Sequence, residues 1–358
     1  MKKYSIFLFL LTLNAVIALH AQRIPESEST REFTFSFSQQ PITNSQYNKI
    51  QLIDLRTDTL RFGFGQYGPL NHKRTLVAQP RFAQQLTDNL NKMIDASAKN
   101  DTLAIALKNL MFSERTGAFN EEGYCSIVAD LYKKSNNGFY FIQAIDTLVK
   151  ISYVDVTKRL MHKSDSIFNT FIYKNLTNNA VSTKKLSLFE VTHSDSLAKR
   201  EIHLYNHPIF KDGIYLSYES FKNQQPEMAC SAKESGMKLK SVKTTNAAGK
   251  EEEVDPAKVY GIVYNSKPYV CSKFGFYRLK FKDDNWYLIG KLPASMGSGV
   301  AMTSYFLFGF VGMAIANETH KSAYFYSAIN YKNGQLIRIK EITFGQDESE
   351  ESNWYCSE

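Results

Sequence analysis

Between Lys291 and Glu318 the chain runs through 26 residues, "LPASMGSGVAMTSYFLFGFVGMAIAN", without one charged side chain, although 22% of its residues are charged. A stretch this long and apolar has to leave water, either inside a fold or in a bilayer. Its most apolar part, 300–316, is 17 residues long, the lower end of the ~17–25 that a membrane-crossing helix needs. Val300, Phe306 and Phe308 supply bulk, while Gly309, Gly312 and Ala316 form a strip of small residues that lets a helix pack closely. Against a simple crossing, Thr303 and Ser304 interrupt the run, and its aromatic residues lie in the middle, whereas interfacial belts form at the ends. Two readings stay open: a segment that contacts a membrane by dipping in and returning, or a buried helix covering a sheet.

The first 21 residues bear on the same question. "MKKYSIFLFLLTLNAVIALHAQ" has two lysines, a short apolar middle and the small residue Ala21, the layout of a secretory signal cut after position 21. The expected mature chain is about 337 residues, 358 less 21, and its location is the periplasm or cell envelope. Export puts Lys273, Arg278, Lys280, Lys282 and Lys291, all upstream of the run, outside the cytoplasm. The positive-inside rule prefers the reverse, which argues against a single crossing.

Removing Lys2 and Lys3 with the signal takes the net charge from +8 to +6. The excess is spread along the chain with no basic stripe, so nucleic acid is not an expected partner. The four cysteines are Cys125, Cys230, Cys271 and Cys356. Export permits disulfides, of which Cys230–Cys271 is the best pairing, and free buried thiols are the alternative.

Period and punctuation divide an α+β chain into two domains. In 31–176, "REFTFSFS" alternates Phe33, Phe35 and Phe37, and "KIQLIDLRTDTL", "TLAIALKNLMFSE", "GYCSIVADLYKK" and "GFYFIQAIDTLVKI" read as further strands. Ser135-Asn136-Asn137-Gly138 supplies a tight turn between the last two. Phe82, Leu86, Leu90, Met93 and Ile94 form one helical face; Leu160, Ile167, Phe168, Phe171 and Ile172 form another, with Asp155 as its expected cap. The expected first domain is an antiparallel sheet with two helices. A polar linker follows at 177–185. The second domain, 186–345, is tyrosine-rich and mainly antiparallel β, with the uncharged run 292–317 as its one apolar helical segment. Its strands are "GIYLSYESF", "KVYGIVYN", "KPYVCSKFGFYRLKF" and "NWYLIGKL", with "FKDDNW" as a turn and Asn333-Gly334 in a final hairpin. "TTNAAGKEEEVDPAK" reads as a mobile loop, "GFGQYG" as a turn, and 346–358 as an acidic tail.

No catalytic motif is present: the sequence has no nucleophile elbow, phosphate loop or H-E-x-x-H helix, and none implies a cofactor. His203 and His207 have a four-residue spacing that two metal ligands on a helix share, but Ile202 and Leu204 alternate as in a strand and Pro208 extends the backbone. An exposed histidine is the expectation and no metal is. Asp54, Arg56 and Asp58 alternate, so one strand face would carry either a carboxylate pair around a guanidinium or a solvated ladder of ion pairs. Tyr215, Tyr218 and Phe221 are the aromatic candidates for a binding surface, against ordinary core packing of Tyr215 and Phe221.

Two stretches carry resemblances. "DGIYLSYESFKNQQPEM" with "VYGIVYNSKPYV" and "FYRL" resembles uncharacterised exported envelope proteins of the Bacteroidota, which implies an envelope location and no particular activity. "IQLIDLRTDTLRFGFGQYG", followed by a leucine-spaced helix, is similar to the start of periplasmic auxiliary lipoproteins of transporters, although their lipid-anchoring cysteine is missing here. The expected function is therefore that of a non-enzymatic envelope protein binding a protein, lipid or glycan. A hydrolase using Asp54 and Asp58, or a transporter accessory subunit, is the alternative.

Overall fold

The computed structural model describes residues 29–68, 72–116, 121–206, 209–246, 248–293 and 322–342. The expected signal (1–21), the core of the uncharged run with Val300, Phe306, Phe308, Gly309, Gly312 and Ala316, His207, Cys356 and the acidic tail lie outside the described residues.

The first half is built from β1 (Thr30–Phe33), β2 (Tyr47–Asp54), β3 (Arg61–Tyr67), β4 (His72–Ala78), α1 (Phe82–Met93), β5 (Asp101–Thr116), β6 (Glu121–Ser135), β7 (Gly138–Tyr153), α2 (Thr157–Asn175) and β8 (Lys185–Leu186). Its sheet runs β1-β4-β3-β5-β6-β7-β8, with β2 beside β5. The long β5–β6–β7 meander is antiparallel. β1–β4 and β2–β5 are parallel, and β3 touches β5 in parallel at Gly63↔Phe112. Gly63 (φ +89°) is no turn residue: a Cβ there would lie 1.9 Å from the Phe112 carbonyl oxygen, so only glycine lets the two backbones meet. "GFGQYG" is thus mostly strand rather than the expected turn, its first glycine serving a close approach of two backbones.

One face of the sheet carries Leu103, Ile105, Leu107, Ile127, Ala129 and Leu131, and it packs with Phe82, Leu86 and Leu90 of α1 and Leu160, Phe168 and Ile172 of α2. The helical periodicity is borne out, with Ile167 and Phe171 at the edge of the core. Asp155 does not cap α2; the N-cap is Val156, whose N–H donates to the Glu121 carboxylate at 3.3 Å.

The alternating phenylalanines are seated in an unusual way. After β1 the extended backbone of Phe35 to Phe37 has no strand partner and is bonded by helix side chains instead. Phe35 and Phe37 donate to Gln85 and Asn89 of α1 at 2.8 and 3.1 Å, and Asn89 donates back to Phe35 at 3.1 Å. On its other edge, Ser36 N–H donates to Asp165 of α2 at 3.2 Å. Asn89 also reaches Asn169 of α2 at 3.3 Å. The two helices thus act as surrogate neighbouring strands, and Phe33, Phe35 and Phe37 point into the core.

The second half comprises α3 (Leu188–Thr192), α4 (Ser194–Arg200), β9 (Gly213–Tyr215), α5 (Tyr218–Lys222), β10 (Ser231–Ser235), β11 (Lys238–Thr245), β12 (Glu251–Glu253), β13 (Gly261–Tyr264), β14 (Lys267–Ser272), β15 (Gly275–Arg278), β16 (Lys280–Lys282), β17 (Asn285–Pro293), β18 (Ser322–Ile329) and β19 (Leu336–Ile342). One sheet runs β10-β11-β15-β14-β13-β9 with β12 beside β11, and another runs β16-β17-β18-β19. They pack through Val263, Val270 and Tyr277 of the first and Trp286, Leu288 and Ile329 of the second. The fold is α+β, β-rich and dominated by antiparallel pairing.

Three local expectations change. "GIYLSYESF" is a strand only through Tyr215, because Ser217 forms a reciprocal capping box with Ser220 and starts a helix. "TTNAAGKEEEVDPAK" is largely ordered: β12 folds back on β11, and the Asn246 side chain accepts from Ala248 and Lys250 N–H. The linker is not a free bridge either, since Val181 N–H donates to Phe141 and β8 pairs with β7. The turn at Asp283-Asp284 is as read, with both residues at positive φ.

Replacing Asn89 with alanine leaves the Phe35 carbonyl and Phe37 N–H buried without partners, and should cost about 2–4 kcal/mol in urea unfolding. The exposed Thr87→Ala should change it by less than ~0.5 kcal/mol.

Candidate functional site

Each sequence-derived candidate among the described residues has a definite place. The Arg56 guanidinium is buried, 7% exposed, and donates to the Asp54 carboxylate at 2.8 and 2.9 Å and to the Thr59 and Arg61 carbonyls. Its plane lies 3.8 Å from the Phe62 ring centroid. Asp58 turns away, accepting from Leu60 and Arg61 N–H and pairing with the Arg61 guanidinium. β2 ends at Asp54, so the three residues do not share a strand face. Neither the carboxylate pair nor the solvated ladder forms: this is a loop staple in which the acids are committed to structural bonds.

Tyr215, Tyr218 and Phe221 are 0, 9 and 0% exposed and form no outward surface. Phe221 packs on Tyr215, edge to face, and over Gly261, where a Cβ would come within 2.9 Å of the ring. Tyr218 donates its hydroxyl to the Tyr331 carbonyl and Tyr260 donates to Gly334, both at 2.7 Å. These two tyrosines clasp the β18–β19 loop, and Gly334 (φ +76°) is required because a Cβ would meet the Tyr218 side chain at 2.2 Å. The core-packing alternative is the correct one.

Cys230 and Cys271 are free thiols, as is Cys125. Cys271 N–H donates to the Tyr260 carbonyl, while the Cys230 sulfur faces the carbonyl of Val263, three residues along. That offset is ~10 Å of strand, beyond the ~4 Å between Cβ atoms that a disulfide tolerates. His203 lies in a turn after α4 rather than in a strand. Among the described residues, no group of three His, Cys, Asp or Glu side chains could hold a metal ion.

The feature that matters for the uncharged run was invisible in its own residues. β17 and β18 pair antiparallel from Tyr287↔Ala328 to Pro293↔Ser322. Pro293 and Ser322, the described residues on either side of 294–321, are therefore neighbours across one ladder, about 5 Å apart. The described chain on either side of the segment thus meets at one point of the body. Among the described residues no helix is long and apolar enough to cross a membrane.

Two polar clusters lie elsewhere. At the junction of the halves, Lys108 pairs with Asp130 and with Asp195 of α4, both at 2.9 Å, and Tyr331 donates to Asp195 at 2.9 Å. Burial would lower the Lys108 pKa, but the two carboxylates hold it above its ordinary value. A bulge in β5 at Lys108 directs it there. In the first half, Glu114 is 5% exposed and accepts from Gln66 N–H at 2.6 Å and from the Thr157 hydroxyl at 2.8 Å, tying β3 and α2 to β5. Burial pushes its pKa up to about 7; the two hydrogen bonds oppose this, and Glu121 and Asp155 add to it. Burial likewise raises Asp165 to about 6.

Both shifts have the same sign. The folded state holds protons that the unfolded chain has released above its ordinary carboxylate pKa. Their contribution is full below about pH 4 and is lost as pH rises toward 7. The urea midpoint should therefore fall between pH 5 and 7, and Glu114→Gln should flatten that slope. Gly334→Ala should lower stability by more than ~2 kcal/mol, with the loss reduced in a Tyr218→Ala background because the clash is shared.

No protein-family model matches the sequence, and the search among curated proteins gives no match. Among solved structures, the chain is similar to protein XCC0632 from Xanthomonas campestris, a member of family DUF330, at 10% identity and a TM-score of 0.27. The likeness covers 47% of this chain and 99% of that one.

Proposed function

We propose that this is an exported, non-enzymatic envelope protein that rests on a bilayer through the uncharged run and offers its folded body to a protein, lipid or glycan partner. The observation that carries the reading is the pairing of Pro293 with Ser322 at the open end of the β17–β18 ladder. With Pro293 and Ser322, which flank 294–321, paired side by side, a lone crossing of the intervening chain would tear this ladder apart. Insertion from one face, with return to the same face, leaves it intact. This geometry also removes the objection from charge, because the positive-inside rule concerns chains whose two flanks lie on opposite sides. Binding rather than catalysis is supported by the fate of the acidic candidates, since Asp54 and Asp58 are both engaged in holding their own loop.

The register supplies the test. Because Pro293 faces Ser322, the whole of 294–321 can be replaced by Asn-Gly, which closes a two-residue hairpin. The full-length chain should stay in the pellet when host membranes are extracted with alkaline carbonate. The Asn-Gly variant should keep its thermal unfolding midpoint within a few degrees and move to the supernatant. Release of the full-length chain, or retention of the folded variant, would overturn the reading.

A further inference from the structure

The upstream lysines that complicate the membrane reading are sorted by the fold. Lys280 and Lys282 lie on β16, which pairs with the start of β17. Lys291 sits at the other end of β17, opposite Tyr324 and two residues before Pro293. Six residues, ~20 Å of strand, separate Lys291 from Asn285, the partner of Lys282.

Lys273 joins Lys291 through a built contact. The turn between β14 and β15 is tied to β17 by Ser272, whose hydroxyl donates to the Lys291 carbonyl at 2.9 Å and accepts from Phe274 N–H at 3.1 Å. Tyr277 donates to the Phe274 carbonyl at 3.3 Å and fixes the far side of the same turn. As a result the Phe274 ring has the Lys273 ammonium 5.2 Å and the Lys291 ammonium 5.9 Å from its centroid. Lys273 is exposed, and Phe274 and Lys291 are half-buried. An aromatic ring with two cations close to it, near the Pro293–Ser322 pair that flanks 294–321, has the chemistry of an interfacial anchor: the apolar ring suits the boundary between headgroups and acyl chains, and ammonium groups suit anionic phosphates.

We propose that Lys273, Phe274 and Lys291 form a headgroup-contacting surface that gives the protein a preference for anionic bilayers. The inference rests on the bilayer reading above and names the lipid class which that end of the fold selects. Charge complementarity commits it to anionic lipid. Continuity with the exit of the run sets the depth, since Lys291 is two residues from the last described pair of the ladder.

The full chain is floated with vesicles of phosphatidylcholine alone and of phosphatidylcholine containing phosphatidylglycerol, at low and high salt. Stronger binding to the anionic vesicles, weakened by salt, is expected. Lys273→Gln with Lys291→Gln should reduce that preference by roughly 5-fold per lysine. Lys280→Gln with Lys282→Gln, an equal change of net charge at the far end, should leave it unchanged. Equal loss in the two double variants, or no loss in either, would overturn the surface. Equal binding of the unmodified chain to both vesicle types would overturn the preference while leaving the bilayer reading in place. Binding to neither would remove both.

Discussion

Seven consecutive residue pairs, Tyr287↔Ala328 to Pro293↔Ser322, bring together segments that the sequence separates by the uncharged run. The second half is organised around this ladder. Its inner face sends Trp286, Leu288 and Ile329 into the core shared with β13, β14 and β15. Gly290 lets the Tyr277 ring lie against the backbone of β17, where a Cβ would come within 2.8 Å. The exit of the run is therefore fixed relative to both sheets, and the Ser272 bond to Lys291 joins the neighbouring turn to the same place. Ordinary strand pairing holds Pro293 and Ser322, which flank 294–321, together at one end of the second half.

The abundance of tyrosine has a structural cause. In several places a ring fills the core while its hydroxyl satisfies a loop carbonyl: Tyr47 to Asn178, Tyr173 to Gln40, Tyr218 to Tyr331 and Tyr260 to Gly334. Phenylalanine would supply the same burial but would leave those carbonyls without that donor. The halves are joined in the same way, by polar bonds on apolar surfaces. Lys108 holds Asp130 and Asp195, and Lys332 reaches Asp146 at 3.2 Å. Burial of the Lys108 ammonium is tolerated because two carboxylates face it, and Asp195 has a further donor in the Tyr331 hydroxyl.

Much of the local structure was legible. Phe82, Leu86, Leu90 and Met93 state a helix by spacing alone, and β5, β6 and β7 state strands by alternation, because each pattern reports a periodic face turned to one core. Where a second influence competed, the reading changed. Ser217 stopped a strand that the aromatic pattern continued, and a cap at that position was its available signal. Gly63 and Gly65 suggested a turn, although the need was for two backbones to touch. The aromatic trio Tyr215, Tyr218 and Phe221 could not be assigned to surface or core, since both use the same large side chains.

By itself the sequence determined that the chain is α+β and β-rich, where most strands and the two long helices lie, and that one run of 26 residues carries no charge. These are consequences of composition and local periodicity. Only the tertiary structure decided that Pro293 and Ser322 on either side of 294–321 are paired, that Arg56 is shielded by Asp54 and loop carbonyls, that Cys230 and Cys271 stay apart, and that Lys273 and Lys291 both lie near the Phe274 ring. Each of these depends on the register between distant strands. Register is set by how whole faces pack together, and no short stretch of sequence contains it.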